Sequence, residues 1–181
     1  MRRVRYNCFP IIPAVALTVL LLGAGCAESE SVSQMPETGP VITGDRNSID
    51  SLLSANKGRW VMLNVWATWC RPCVAETPDL VAFANKMAGR PFTMIGLSTD
   101  YFTVDDTTAV RKVREFQSKY NVPYTNMVFL GGTSELTEHL DLSGVLPTTI
   151  LFDPSGEVAE QYIGLIDHAE LDQLARRING T

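Results

Sequence analysis

Cysteine and histidine are scarce in this sequence. Cys8 and Cys26 fall in or beside an N-terminal leader, so only Cys70 and Cys73 remain for a folded domain. A disulfide-stapled small domain would need more bridges, and a self-contained zinc site would need four ligands. The two histidines, His139 and His168, lie far apart, match no ligand spacing and read as surface residues. Haem attachment needs histidine directly after the second cysteine, and Val74 stands there. Basic charge is also in short supply. The net charge is −5, and without the first 25 residues it becomes −8, a surface that excludes a nucleic-acid partner. Long apolar runs are absent as well. Phe9 to Gly25 is free of charge, but 17 residues interrupted by Pro10 and Pro13 are short for a membrane span.

What is present begins with an export pattern. Arg2, Arg3 and Arg5 precede the apolar stretch Ala14–Leu22, followed by Gly23-Ala24-Gly25 and then Cys26. This reads as a secretory signal over residues 1–25. Small residues directly before a cysteine resemble the lipobox of bacterial lipoproteins, although Gly23 stands where that family prefers leucine. The resemblance implies that Cys26 is lipidated and anchors an exported chain to a membrane, on the periplasmic or outer side. Residues 26–42, rich in Ser, Glu, Pro and Thr, read as a flexible tether, with the folded domain over residues 43–181.

The domain alternates between two periodicities. Ile49, Leu52 and Leu53 mark a short amphipathic helix, with Asn47 or Ser48 as its cap. Trp60–Trp66 is nearly all apolar, the pattern of a strand covered on both faces, and only Asn64 breaks it. Val74, Thr77, Leu80, Val81 and Ala84 then form a helical stripe, interrupted by Pro78. Strands follow at Phe92–Ser98, Asn126–Leu130 and Thr148–Phe152, with a helix from about Asp105 to Tyr120 and a shorter one over Thr133–Leu140. Asp153-Pro154-Ser155-Gly156 fits a type I turn leading to a strand at Val158–Ile163. Asp167 and Glu170 form a capping box for the last helix. The resulting order, α-β-α-β-α-β-(α)-β-β-α, implies an α/β fold with a mixed central sheet and helices on both faces.

The chemistry concentrates in Trp69-Cys70-Arg71-Pro72-Cys73, at the end of the apolar strand and the start of a helix. A free thiol, with pKa roughly 8.5, is mostly protonated at neutral pH. The unpaired N–H groups and partial positive charge of a helix N-terminus favour its anion. A second cysteine one turn on can close a small disulfide ring. A static disulfide and a zinc half-site shared between chains are the alternative readings of the pair.

With its flanks, this segment resembles the thioredoxin fold, and Asn64-Val-Trp66 through Glu76-Thr77-Pro78 resembles its exported TlpA/ResA branch. So does Leu146-Pro147-Thr148-Thr149 ahead of a strand and a hairpin. The resemblance implies a thiol–disulfide oxidoreductase in which Cys70 attacks and Cys73 resolves. No cofactor or metal beyond the redox-active pair is then needed. Arg71 and Pro72 would tune the pair, and Trp69 would line the substrate groove. Pro147 would follow a cis bond and present the Leu146 backbone to an extended substrate. Thioredoxins carry a buried Asp where Asn64 stands, so the resemblance assigns proton handling to Glu76, with a pKa raised by partial burial. It also implies a protein thiol or disulfide as substrate, a membrane electron donor of the CcdA or DsbD type, net reduction, and service in cytochrome c or copper-site assembly. Two other classes are the alternatives. A peroxiredoxin-type peroxidase wants Thr three residues before a lone attacking cysteine, and Ala67 is there. A copper-binding assembly factor of the Sco type wants wider cysteine spacing and a nearby histidine.

Overall fold

The computed structural model describes residues 38–180. The expected signal segment, the expected lipidation site Cys26 and most of the expected tether lie outside the described residues. The described chain runs β1 (Val41–Gly44), α1 (Arg46–Ala55), β2 (Trp60–Trp66), α2 (Arg71–Lys86), β3 (Phe92–Ser98), a 3-10 turn (Asp100–Phe102), α3 (Asp106–Tyr120), β4 (Thr125–Phe129), α4 (Thr133–His139), β5 (Thr148–Phe152), β6 (Val158–Ile163) and α5 (His168–Asn179). The six strands form one sheet in the order β1-β4-β3-β2-β5-β6. The first four in that order are mutually parallel, and β5 and β6 are antiparallel additions.

The apolar run of β2 is explained by its place near the middle of the sheet, where both faces are covered. Val61, Leu63 and Val65 pack with Ile49 of α1 and Leu136 of α4. Met62 points to the opposite face and meets Leu80 and Phe83 of α2 and Leu171 and Leu174 of α5. Trp66, on that second face by the two-residue period of a strand, packs with Ala109 and Val113 of α3. The pleat therefore aims Asn64 into the layer beneath α2.

Gly96 makes a close approach possible on that face. It pairs in register with Asn64 on one side and Asn126 on the other. A Cβ at Gly96 would collide with Asn126 Oδ1, the atom that accepts the Trp66 Nε1–H bond at 2.8 Å.

Two differences from the sequence reading stand out beside one-residue shifts at the ends of β4 and α4. The tether, expected to reach residue 42, gives way to the domain earlier. Gly39 N donates to Val122 O, Asn126 N donates to Pro40 O, and β1 starts at Val41. Four residues are too few to show alternation, and their pairing with β4 is long-range information. The cap of α1 is Asp45 rather than Asn47 or Ser48. Its side chain accepts from Ser48 N at 3.0 Å, and Ser48 supplies the return half of a capping box. Elsewhere the local signals agree with the structure. Asp105 caps α3 and Asp167 caps α5 through a box with Glu170. Gly156 N closes the Asp153 turn at 2.9 Å. Helix α2 continues through Pro78.

Candidate active site

Cys70 is the N-cap of α2. Its backbone is extended (φ −81°, ψ 103°), and its Sγ accepts the Cys73 N–H at 3.3 Å. The sulfur thus occupies the place a Ser or Asp oxygen takes at other helix starts, where unpaired N–H groups favour negative charge. Cys70 and Cys73 are joined as a disulfide, and Cys70 is the more exposed of the two, 6 % against 2 %. Arg71 and Pro72, in the first turn, face solvent. Trp69, immediately before, is half exposed.

The Leu146–Pro147 peptide is cis, as the resemblance implies. Pro147 is buried, and its carbonyl accepts the Gly164 N–H at 2.8 Å. Leu146 packs against the cluster that holds both cysteines. A segment more than seventy residues downstream of the Cys pair is thereby brought to it by the β2–β5 pairing.

Glu76 lies one turn after Cys73 and is only 2 % exposed. Its Oε1 accepts from Asn64 Nδ2 at 2.9 Å, and its Oε2 accepts from the Ile166 N–H at 3.3 Å. Burial pushes its pKa from 4.5 up to about 7, against the lowering pull of the Asn64 and Ile166 donors, with the Asp79 charge adding to the rise. A carboxyl in that range is protonated in part of the molecules at neutral pH and can give or take a proton. Asn64 splits its amide between Glu76 and Thr149 Oγ1, the latter at 3.0 Å. The Tyr124 phenol is held well above its ordinary value by burial and by the charge of Glu76.

Asp100 is a structural member of the site that the sequence reading passes over. Its side chain is fully buried and accepts from Thr68 N at 3.0 Å, from the Thr68 hydroxyl, and from Ser98 Oγ at 2.7 Å. These bonds tie the turn that carries Trp69 and Cys70 to the end of β3. Ser98 and Asp100 two residues apart at a strand end were the available signal. The histidines stand elsewhere: His139 Nε2 lies 2.9 Å from Asp50 Oδ1, and His168 Nε2 lies 3.4 Å from Asp79 Oδ1. Cys26 lies outside the described residues.

The chain is similar to proteins of known family and fold. The family model described as Redoxin matches residues 33–175. "Thiol-disulfide oxidoreductase ResA" of Bacillus subtilis (strain 168) is 31 % identical over 149 residues, covering 82 % of this chain and 78 % of that one. "Thiol:disulfide interchange protein DsbE" of Pseudomonas fluorescens biotype C is 28 % identical over 139 residues, covering 76 % and 69 %. A crystal structure of a thioredoxin-family thiol:disulfide interchange protein from Chlorobium tepidum TLS superposes with a TM-score of 0.57 at 26 % identity, covering 69 % of this chain and 83 % of that one. The fold is thioredoxin-like.

The raised pKa of Glu76 has a stability consequence. The folded state holds this proton more tightly than the unfolded chain, so its contribution is fully present below pH 4.5 and is lost as pH rises through about 7. Urea unfolding of the oxidised protein should show wild type losing up to ~1.4 kcal/mol per pH unit across that window relative to Glu76→Gln. Parallel stability curves for the two proteins would remove the buried titration.

Proposed function

This chain belongs to the Redoxin family and is a thiol–disulfide oxidoreductase, and we propose that it works as a membrane-tethered, extracytoplasmic reductase of protein disulfides. The observation that carries this reading is the Cys70 sulfur at the N-terminus of α2, with the buried, near-neutral Glu76 one turn behind Cys73.

The Cys70 thiolate attacks one sulfur of the substrate disulfide. A Cys70–substrate bond forms, the substrate S–S bond breaks, and the departing sulfur takes up a proton. Cys73 loses its proton to Glu76 and attacks the Cys70 sulfur. The mixed disulfide breaks, the second substrate thiol leaves protonated, and the Cys70–Cys73 disulfide remains. Two electrons pass to the substrate. Arg71 beside Cys70 favours the attacking thiolate, and Pro72 stiffens the first turn. Leu146, before Pro147, offers backbone groups to the extended substrate, and Trp69 flanks it. A membrane donor of the CcdA or DsbD type returns the two electrons. Outside the cytoplasm a dithiol must be actively kept reduced. The names of the relatives, an oxidoreductase and an interchange protein, support the chemistry, and the resemblance to their branch supports cytochrome c maturation as the setting. The small residues before Cys26 support a lipid anchor.

Trapping tests the mechanism. Cys73→Ser should accumulate Cys70-linked mixed disulfides with its protein substrate, and the additional change Cys70→Ser should abolish them. Equilibration against glutathione should place the couple on the reducing side; a couple as oxidising as a dedicated oxidase would reverse the direction. In the full-length protein, Cys26→Ser should move the chain from the membrane to the soluble fraction. Unchanged membrane association would overturn the lipid anchor.

A further inference from the structure

The sulfur chemistry leaves one charged feature of its surroundings without a role. Helix α3 carries Arg111, Lys112, Arg114 and Lys119, against only Asp106 and Glu115. Arg111 pairs with Glu115 at 2.9 Å. Lys112, Arg114 and Lys119 form no ion pair among the described residues. In a chain of net charge −5, where acids are in surplus, this is a local reversal of sign. A groove of about 260 Å³ opens at the same place, lined by Lys112, Lys119, Glu115, Phe116 and Thr68.

The groove is fixed relative to the attacking sulfur. Thr68 stands two residues before Cys70, and the buried Asp100 holds both its N–H and its hydroxyl. Phe116 packs on Trp66 with ring centroids 4.6 Å apart, which ties α3 to the end of β2. The other acids near this turn do not face outward: Asp100 is fully buried and Glu76 is 2 % exposed. On the opposite face of the sheet, α4 borders Trp69, and Glu138 and Asp141 there are exposed. The surface beside Cys70 is therefore basic toward α3 and acidic toward α4. Lys112 and Lys119 are seven residues apart, two turns on one face of the helix, or about 10 Å. An extended chain covers that distance in about three residues.

We propose that the Lys112–Lys119 groove docks an acidic segment of the protein substrate, with two carboxylates about three residues apart on one side of the cysteine that engages Cys70. This rests on Cys70 being the attacking sulfur. The partner's carboxylates take the place of the acids that α3 lacks. The acidic α4 side repels them, so the charge pattern sets which way the substrate runs across the site. Exposed ion pairs of this kind hold a complex weakly. Their effect falls on the rate of encounter and on the choice between partners. The net negative charge of the protein favours basic partners, so a preference for acidic ones has to come from this local face.

The test uses the reduced full-length protein and synthetic peptides carrying one cysteine as a mixed disulfide with mercaptoethanol. Two Asp, two Ser or two Lys residues, three positions apart, are placed on either side of that cysteine. Each second-order rate constant is divided by that of the same peptide with dithiothreitol, which removes the peptide's own reactivity. At low salt the Asp peptide should exchange about fivefold faster than the Ser peptide from one side, with the Lys peptide slowest. The differences should close as salt rises to about 0.5 M. Lys112→Gln with Lys119→Gln should bring the Asp-to-Ser ratio close to one, and Lys112→Glu with Lys119→Glu should invert the order. Lys57→Glu with Arg90→Glu makes the same change in net charge at exposed positions elsewhere and should leave the order as in wild type. Lys peptides fastest on wild type, or an order inverted equally by both Glu pairs, would overturn the docking face and leave the reductase reading standing. Failure of every peptide to exchange with Cys70 would overturn both. Equal rates for all peptides, with Cys26→Ser protein binding phosphatidylglycerol vesicles through Lys112 and Lys119, would assign the face to a lipid surface and overturn the proposal.

Discussion

The hydrogen bond from the Asn64 amide to the Glu76 carboxyl joins the two elements that make the site. It crosses from β2 to α2 inside the protein, at 2.9 Å, with both residues almost fully buried. A carboxyl in such a place either finds enough donors to stay charged or keeps its proton. Glu76 has two donors, from Asn64 and from the Ile166 backbone, and burial still outweighs them. The balance puts its titration near neutrality. A basic partner in place of Asn64 would have held the group ionised. A second acid there would have coupled to it as a like-charge pair. The neutral amide orients the carboxyl and leaves its proton exchangeable.

The rest of the fold holds this arrangement in place. Gly96 leaves room for Asn126 to reach the Trp66 indole, which fixes the end of β2. Asp100 ties the Thr68 turn to β3, so the strand hands over to α2 with Cys70 as its cap. The β2–β5 pairing sets Thr149 beside Asn64 and carries Leu146 and Pro147 toward the cysteines. The loop after β6 contributes Ile166, whose N–H meets Glu76. The Cys pair and Glu76 on α2, Asn64 on β2 and the Leu146–Pro147 segment thus come from separate stretches of chain brought together by one sheet.

Much of this is legible in the sequence because it is local. The unbroken apolar run of β2 marks a central strand. The Cys pair ahead of a helical stripe marks the start of α2, and Asp167 with Glu170 marks α5. Glu76 is placed on the helix one turn after Cys73 by counting alone. Its depth of burial is not, since that depends on α5 and the Ile166 segment closing over it. The same reason hides β1, whose four residues become a strand only against β4. It also hides Asp100, whose three donors come from Thr68 and from Ser98 at the end of β3. Asn64 is legible as an exception to the apolar pattern, but its second partner, Thr149, lies 85 positions away.

The central claim is that Glu76 exchanges protons with the cysteine pair, and the pH dependence of the pair's reduction potential tests it most directly. If the carboxyl and the thiols titrate as a coupled set, the number of protons taken up on reduction changes around pH 7, where the oxidised protein's Glu76 titrates. The potential of the wild-type protein, measured against a glutathione buffer across that range, should then bend near pH 7, and that of Glu76→Gln should not. Curves that run parallel at every pH would show that the buried carboxyl takes no part in the redox step.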